Sequence, residues 1–391
     1  MRLRSASHAM MVVAPRCTLA DAEWRKGGGA AIYQHGFICL RRRPFQSRAP
    51  TVSGRSIGKG FEMKNVSLPR VSVITGYYNR GHLLDRTLRP LLDQTYENLE
   101  IIVFNDRSTD DTSSRLAEYE RLGDPRLKVI NHTENLGFTR GMINAITRAT
   151  GEYIAVQGSG DISSVDRIAE QAHLLMSRPG VGVVGSYYEN VVEDRGVARL
   201  RTPDADTTTL ESLARGNVFT HGEVMYRRSI YEASGGYRPE FKYCQDYDLW
   251  LRMIRHASFA TVKKPLYKRF IQFDGVSYAP EKAALQALYF ISCQRMAMSS
   301  PAEQVSMFEQ LKEHGPGVIV KKDDPVLQSR LFRNCLRLIA WGNVTQANKM
   351  SEHLISRSRR TAIKMVGRVF SAPSFEKPRQ LIFKSLGIEA A

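Results

Sequence analysis

Between residues 71 and 156, short apolar runs alternate with segments of helical spacing. VSVIT (71–75), LEIIVFN (99–105), RLKVI (126–130) and EYIAV (152–156) are rich in β-branched residues and read as strands. Leu83, Leu84, Leu88, Leu91 and Leu92 fall on one face of a helix. Leu116, Tyr119 and Leu122 mark a second, and Met142, Ile143, Ile146 and Ala149 a third. Strands alternating with helices of this length predict right-handed βαβ units, and nearly continuous apolar strands predict a sheet covered on both faces. The expected fold class is α/β, a mostly parallel, doubly wound sheet flanked by helices. Ligands of such sheets sit beyond the carboxyl ends of the strands, so chemistry is expected in the loops after residues 75, 105 and 156.

Further along come a helix (165–177), the strand VGVVGSYYE (181–189), a polar stretch rich in Thr and Asp, and a strand at 223–227. An amphipathic helix (246–257) carries Leu249, Trp250 and Met253 at core spacing, and FATVKK (259–264) reads as a closing strand. Beyond Pro280 the pattern is helical, with breaks at Pro301, Gly315-Pro316, Pro325, Gly342 and Pro373. Residues 1–62 have neither period and contain GGGA and RRRPF. They are expected to be disordered, or untranslated if Met63 is the true start. The chain thus divides into a basic segment (1–62), an α/β domain (63–280) and a basic helical extension (281–391).

Composition narrows the class. With 42% hydrophobic and 24% charged residues, the 391-residue chain is neither collagen, rod nor disulfide scaffold. Its five cysteines are scattered without C-x-x-C spacing, which points to neither zinc nor disulfides and to a reducing compartment. The net charge of +17 is unevenly spread. Residues 1–62 hold 11 basic and 3 acidic side chains, 281–391 hold 17 and 9, and the middle holds 28 and 27. A nucleic-acid enzyme would carry its basic surface on the working domain, so nucleic acid is not the expected partner. Basic flanks suit an anionic membrane surface better. No run approaches the ~18 apolar residues of a membrane span, and the short MMVVAP run is no secretory signal. The expected location is cytoplasmic, peripheral on the inner face of the membrane. The run 357–384, with eight basic residues and one acidic, has the character of a membrane-surface helix pair or of a solvated helical face.

The loop after the first strand reads TGYYNRG (75–81) and that after the second NDRSTDDT (105–112). Asp110 or Thr109 suits the cap of the following helix. Asp106, just past a buried strand end, is placed to accept hydrogen bonds from a nucleoside.

Together these blocks resemble the family 2 glycosyltransferases of GT-A fold. The ordered set is VSVITGYYNR, QTYENLEIIVFNDRSTDDT, ENLGFTRG, TGEYIAVQGSGDISSVDR, HGEVMYRRSIYEASGGYRPEF and QDYDLWLRM, spanning roughly 71–275. The resemblance implies a nucleotide-diphosphate sugar donor, UDP-linked, a glycan or lipid-linked acceptor, and transfer with inversion. It places Asp106 on the nucleoside with the 75–80 loop (Thr75, Tyr78, Asn79, Arg80) lining the same pocket. Asp246 falls on the catalytic base, beside Gln245 where the family usually has Glu, although Asp246 would equally serve to cap its helix. His221 falls on a position facing donor or acceptor sugar. The departure lies at 157–161: Gly158, Ser159 and Gly160 stand where the family has its acidic D-x-D trio, which holds ribose and a divalent metal. Asp161 remains as a single candidate ligand for Mg²⁺ or Mn²⁺, and Arg140 is a candidate counter-charge for the diphosphate. Carboxylates restored at 158 and 160 are expected to strengthen a metal response. The competing expectation is a non-catalytic nucleotide-sugar-binding or scaffold member that has lost the metal site.

Overall fold

The β-branched run at 71–75 begins β1 (Val71–Tyr77), a seven-residue strand inside a nine-stranded sheet. A computed structural model describes residues 68–193, 196–271 and 279–371 of the chain. The expectations for residues 1–62, and for the second half of the basic run 357–384, lie outside the described residues. β2 (Leu99–Asn105), β3 (Leu127–Asn131) and β4 (Tyr153–Val156) give the parallel order β3-β2-β1-β4. They are connected by α1 (Leu84–Leu92), α2 (Thr112–Arg121) and α3 (Phe138–Arg148). Every residue of β2 is buried, as expected of a strand covered on both faces. Leu122 departs from its pattern: α2 stops at Arg121, and Leu122 is 75% exposed.

The other half of the sheet is mixed. It contains β5 (Ile162–Ser163), β6 (Val181–Val192), β7 (Val197–Arg201), β8 (Met225–Arg227) and β9 (Ser258–Phe270). β8 is antiparallel to β4 and β6, β7 to β6, and β5 to β9, whereas β6 and β9 run parallel. No crossover helix separates β6 from β7, so the two form a hairpin. β9 runs six residues past the expected end at 264. Pro265 falls where the β6 register shifts, a place that tolerates a residue without an N–H. This continuation carries Tyr267, Arg269 and Phe270 to the carboxyl-end side of the sheet.

Side chains from alternate strand positions feed two cores. Val71, Val73 and Tyr77 pack with α1 and with α4 (Arg167–Ser177). Ile74, Ile102 and Ile154 pack with α3, with Tyr231 of the short α6 (Arg228–Ala233), and with Trp250 of α7 (Gln245–Met253). Leu213 of α5 (Leu210–Arg215) joins this second core. The C-terminal helices are α8 (Pro280–Met298), α9 (Pro301–His314), α10 (Pro325–Ala340), α11 (Val344–Ser351) and α12 (Arg357–Val369). α8 completes the second core: Phe290 stacks on Tyr247, with centroids 4.5 Å apart and planes 7° from parallel. A third core joins α8 to α10–α12 through Ile291, Leu331, Ile339 and Ile363. α12 buries Ile363 and Gly367 and exposes Arg357, Arg359, Lys364, Met365, Arg368 and Val369.

Candidate active site

The carboxyl ends of β1, β2 and β4 open into a cavity of about 580 Å³. Its rim is built from two loops tied to each other. Asn79, at a left-handed φ of 52°, accepts from the Thr109 amide at 2.7 Å and donates its own amide to Ser108 Oγ at 3.0 Å. The Gly81 amide donates to Asp110 Oδ2 at 3.1 Å and the Arg80 amide to Thr112 Oγ1 at 3.2 Å. Asp110 Oδ1 also accepts from the amide of Thr112, the first residue of α2, at 3.0 Å, but the cap position is that of Asp111, not of Asp110 or Thr109 as expected. Arg107, at φ 57°, follows Asp106. Each non-glycine residue held there costs about 1–2 kcal/mol, strain that concentrates at functional loops.

Asp106 is 3% exposed and lines the cavity. Its Oδ1 accepts from the Leu136 amide at 2.8 Å and faces His132 Nδ1 at 3.0 Å, and its Oδ2 accepts from the Gly137 amide at 2.9 Å. The carboxylate therefore fixes the loop that leads into α3, which sets Phe138 and Asn135 in the cavity wall. Tyr78 and Phe138 offer aromatic surface there, 50% and 41% exposed.

At the end of β4 stand Gly158, Ser159, Gly160 and Asp161. Asp161 Oδ2 accepts from Tyr267 Oη at 2.7 Å and Oδ1 from the Phe270 amide at 2.8 Å. Burial pushes its carboxyl above the ordinary aspartate range, opposed by those hydrogen bonds and by the charges of Arg269 and Arg80. Arg80 Nη1 reaches the Ser159 carbonyl at 3.2 Å, and Arg269 also lines the cavity. A divalent cation needs several oxygen ligands, and the donor set does not fit one. Among the described residues, Asp161 is the one carboxylate at this point, both its oxygens are engaged, and no three His, Cys, Asp or Glu side chains group as a metal site. The glycines are also sterically required. A Cβ on residue 158 would lie 2.3 Å from Asp161 Oδ2 and 2.8 Å from Tyr267 Oη. Residue 160 has φ 95°, and a Cβ there would lie 2.7 Å from Leu83 Cδ1. Carboxylates restored at 158 and 160 would therefore meet side chains already in place, Asp161 and Tyr267 at the first position and Leu83 at the second.

A second, more polar cavity of about 710 Å³ lies between β6, α7 and the C-terminal helices. Asp246 lines it, with Oδ2 accepting from Asn217 Nδ2 at 3.3 Å. Asp246 is the second residue of α7 and not its cap. That position belongs to Cys244, a buried residue held at φ 59°. Arg269 lines both cavities.

Of the residues singled out in the sequence, Tyr78, Arg80, Asp106, Gly158, Ser159 and Asp161 share the first cavity. Thr75 is buried within β1, and Asn79 acts through the loop tie. Arg140 is exposed on α3 and Gln245 opens α7, both outside the linings of the two cavities. His221 also lies outside them, in a 3₁₀ turn (His221–Glu223), with Nε2 2.6 Å from Tyr237 Oη and its ring edge-on to Phe138 and Trp250. Burial lowers its pKa, so the neutral ring is favoured. Missed altogether were Arg269, Phe270, Phe138 and the arginines of the second cavity. A longer closing strand would have signalled the first two; the rest come together only through tertiary packing.

The profile described as Glycosyl transferase family 2 matches residues 72–269. EpsE, a Bacillus subtilis (strain 168) protein assigned to the glycosyltransferases, is 32% identical over 204 residues, covering 51% of this chain and 72% of EpsE. TuaG of the same strain, assigned to teichuronic acid biosynthesis, is 36% identical over 110 residues, 28% of this chain and 43% of TuaG. The structure of S. aureus TarS 1–349 with UDP aligns over 81% of this chain and 91% of that one, at 17% identity and a TM-score of 0.47. The profile runs from the second residue of β1 to the penultimate residue of β9 and so takes in every strand of the sheet, and the chain belongs to the family 2 glycosyltransferases.

Proposed function

We propose that this glycosyltransferase moves a sugar from a nucleotide-diphosphate donor, UDP-linked, to a hydroxyl of a glycan or lipid-linked acceptor, inverting the anomeric carbon. The observation that carries this reading is Arg269, which lines both the cavity at the strand ends and the one that holds Asp246. The first cavity takes the donor: Tyr78 and Phe138 flank base and sugar, the Asp106 loop orients the nucleoside, and Arg80 and Arg269 face the diphosphate. Asp246 takes the proton from the acceptor hydroxyl as its oxygen attacks the anomeric carbon. The bond from that carbon to the diphosphate oxygen breaks, and its electron pair leaves with the nucleotide. Arginine charge beside the departing phosphates stabilises the negative charge that develops there. The basic face of α12, interrupted by Met365 and Val369, supports attachment to an anionic membrane surface. TuaG's assignment supports an envelope polysaccharide as product.

The test is Asp246→Asn. Nucleotide affinity and melting temperature stay unchanged while turnover falls about 10²–10⁴-fold, the usual worth of a positioned base. Normal turnover in that variant removes Asp246 from the mechanism. Nucleotide binding without transfer to any acceptor in a broad panel would leave a nucleotide-sugar-binding protein.

A further inference from the structure

The second cavity has a lopsided charge. Among the described residues, Arg215, Arg269 and Arg330 line it together with Arg201 and Arg337, and Asp246 is the one acidic side chain in that lining. Arg252 pairs with Asp248, Arg115 with Asp85, Arg126 with Asp124 and Arg178 with Asp206. Arg215, Arg269 and Arg330 make no ion pair with a described carboxylate. Collecting like charges in a concave space is unfavourable and does nothing for folding, so the arrangement calls for a negative ligand.

The C-terminal helices supply part of this charge. Arg330, Asn334 and Arg337 recur at i, i+4 and i+7 on α10, which puts them on one face of the helix, and all three line the cavity. The Arg330 guanidinium lies 3.8 Å from the Phe290 ring centroid, which orients its planar fork. α10 lies beyond the residues that the family profile matches.

We propose that the second cavity takes an anionic acceptor, a sugar unit whose phosphate or carboxylate group is gripped by Arg330 and Arg215 while its hydroxyl is presented to Asp246. The guanidinium fork matches both kinds of oxyanion, and the volume suits a ligand of one or two sugar units with its charged group. The inference rests on the reading of Asp246 as base, and its test is separable from that reading.

In calorimetry at low salt, the full chain saturated with UDP is titrated with glucose 6-phosphate, pyrophosphate, glucuronate and glucose. Phosphate monoester, lipid-type diphosphate and glycan carboxylate are thereby told apart. At least one anion binds and glucose does not. Arg330→Gln and Arg215→Gln each weaken that binding about tenfold or more, the worth of a charge-assisted hydrogen bond, and leave UDP affinity unchanged. Arg215 is exposed at the end of α5, so its variant folds even if the other does not. Anion binding that is indifferent to both substitutions, or glucose binding as tightly as its 6-phosphate, overturns the proposal. Turnover that needs Asp246 but prefers uncharged acceptors overturns it while leaving the transfer reaction in place. Arginine-dependent anion binding with unaltered turnover in Asp246→Asn supports it and overturns only the base.

Discussion

The Tyr267 hydroxyl donates to Asp161 Oδ2 at 2.7 Å and accepts from the Gly158 amide at 3.1 Å. One phenol thus ties β9 to the turn after β4 and fills the space that side chains would need. A Cβ on Gly222 would lie 2.0 Å from the same oxygen. Tyr267 and the glycines around it form one arrangement: none of these glycines can take a side chain while the tyrosine stays.

Gly158→Asp and Gly160→Asp should each lower the melting temperature, and the double variant should show no gain in Mn²⁺-dependent UDP binding. Overlap at residue 158 and the left-handed backbone at 160 cost about 1–3 kcal/mol each. Thermal melts and calorimetry with and without Mn²⁺ check both statements. A stable double variant with enhanced metal response would mean that the tyrosine yields easily.

If Arg80 and Arg269 provide the counter-charge, their replacement by alanine should weaken UDP about tenfold each while leaving uridine nearly unaffected. UDP binding should persist in EDTA. Equal losses for UDP and uridine would place both arginines away from the phosphates.

The helices after residue 279 are part of the fold. A chain ending there leaves Phe241, Tyr247 and Cys244 without Phe290 and Tyr289, and should lose its cooperative thermal transition. Phe290→Ala in the full chain should cost about 3–5 kcal/mol in denaturant unfolding, the usual loss for a buried aromatic.

Glu223 is fully buried and accepts from the Ser186 and Thr220 amides. Burial nevertheless pushes its carboxyl up to about 8, only partly opposed by those bonds and by Arg167. The folded state therefore holds a proton that the unfolded chain, titrating near 4.5, has released. The stability this proton supplies is complete below about 4.5 and is lost as pH rises through about 8. Glu223→Gln should flatten that decline in melting temperature across the same window; an unchanged slope would assign it to other groups.

The parallel half of the sheet was legible because β1 and β2 are rich in β-branched residues and buried on both faces. The gathering of Asp106, Tyr78 and Asp161 followed from the rule that ligands sit at strand carboxyl ends. Leu122 misled because a helical stripe does not mark its own end. Arg269 was invisible because Pro265 interrupts the apolar pattern before it, and a bulge in a long strand leaves no local signature. The second cavity draws on residues from Tyr188 to Met350, so no window of sequence contains it. Asp246 could be picked out, but the arginines that surround it could not.

The tie between Asn79 and Ser108–Thr109 has a thermodynamic consequence for the ligand. Fixing the backbone of a loop residue costs about 1–2 kcal/mol. Here folding meets that cost for both loops before any ligand arrives. Association therefore proceeds without an ordering penalty at the rim, and a modest number of contacts yields useful affinity. Asn79→Ala removes the side-chain half of the tie, the bond from the Thr109 amide, and no direct contact with the ligand, yet it shifts part of the loops' ordering entropy onto the binding step. The loss should appear in calorimetry as less favourable entropy, offset in part by enthalpy.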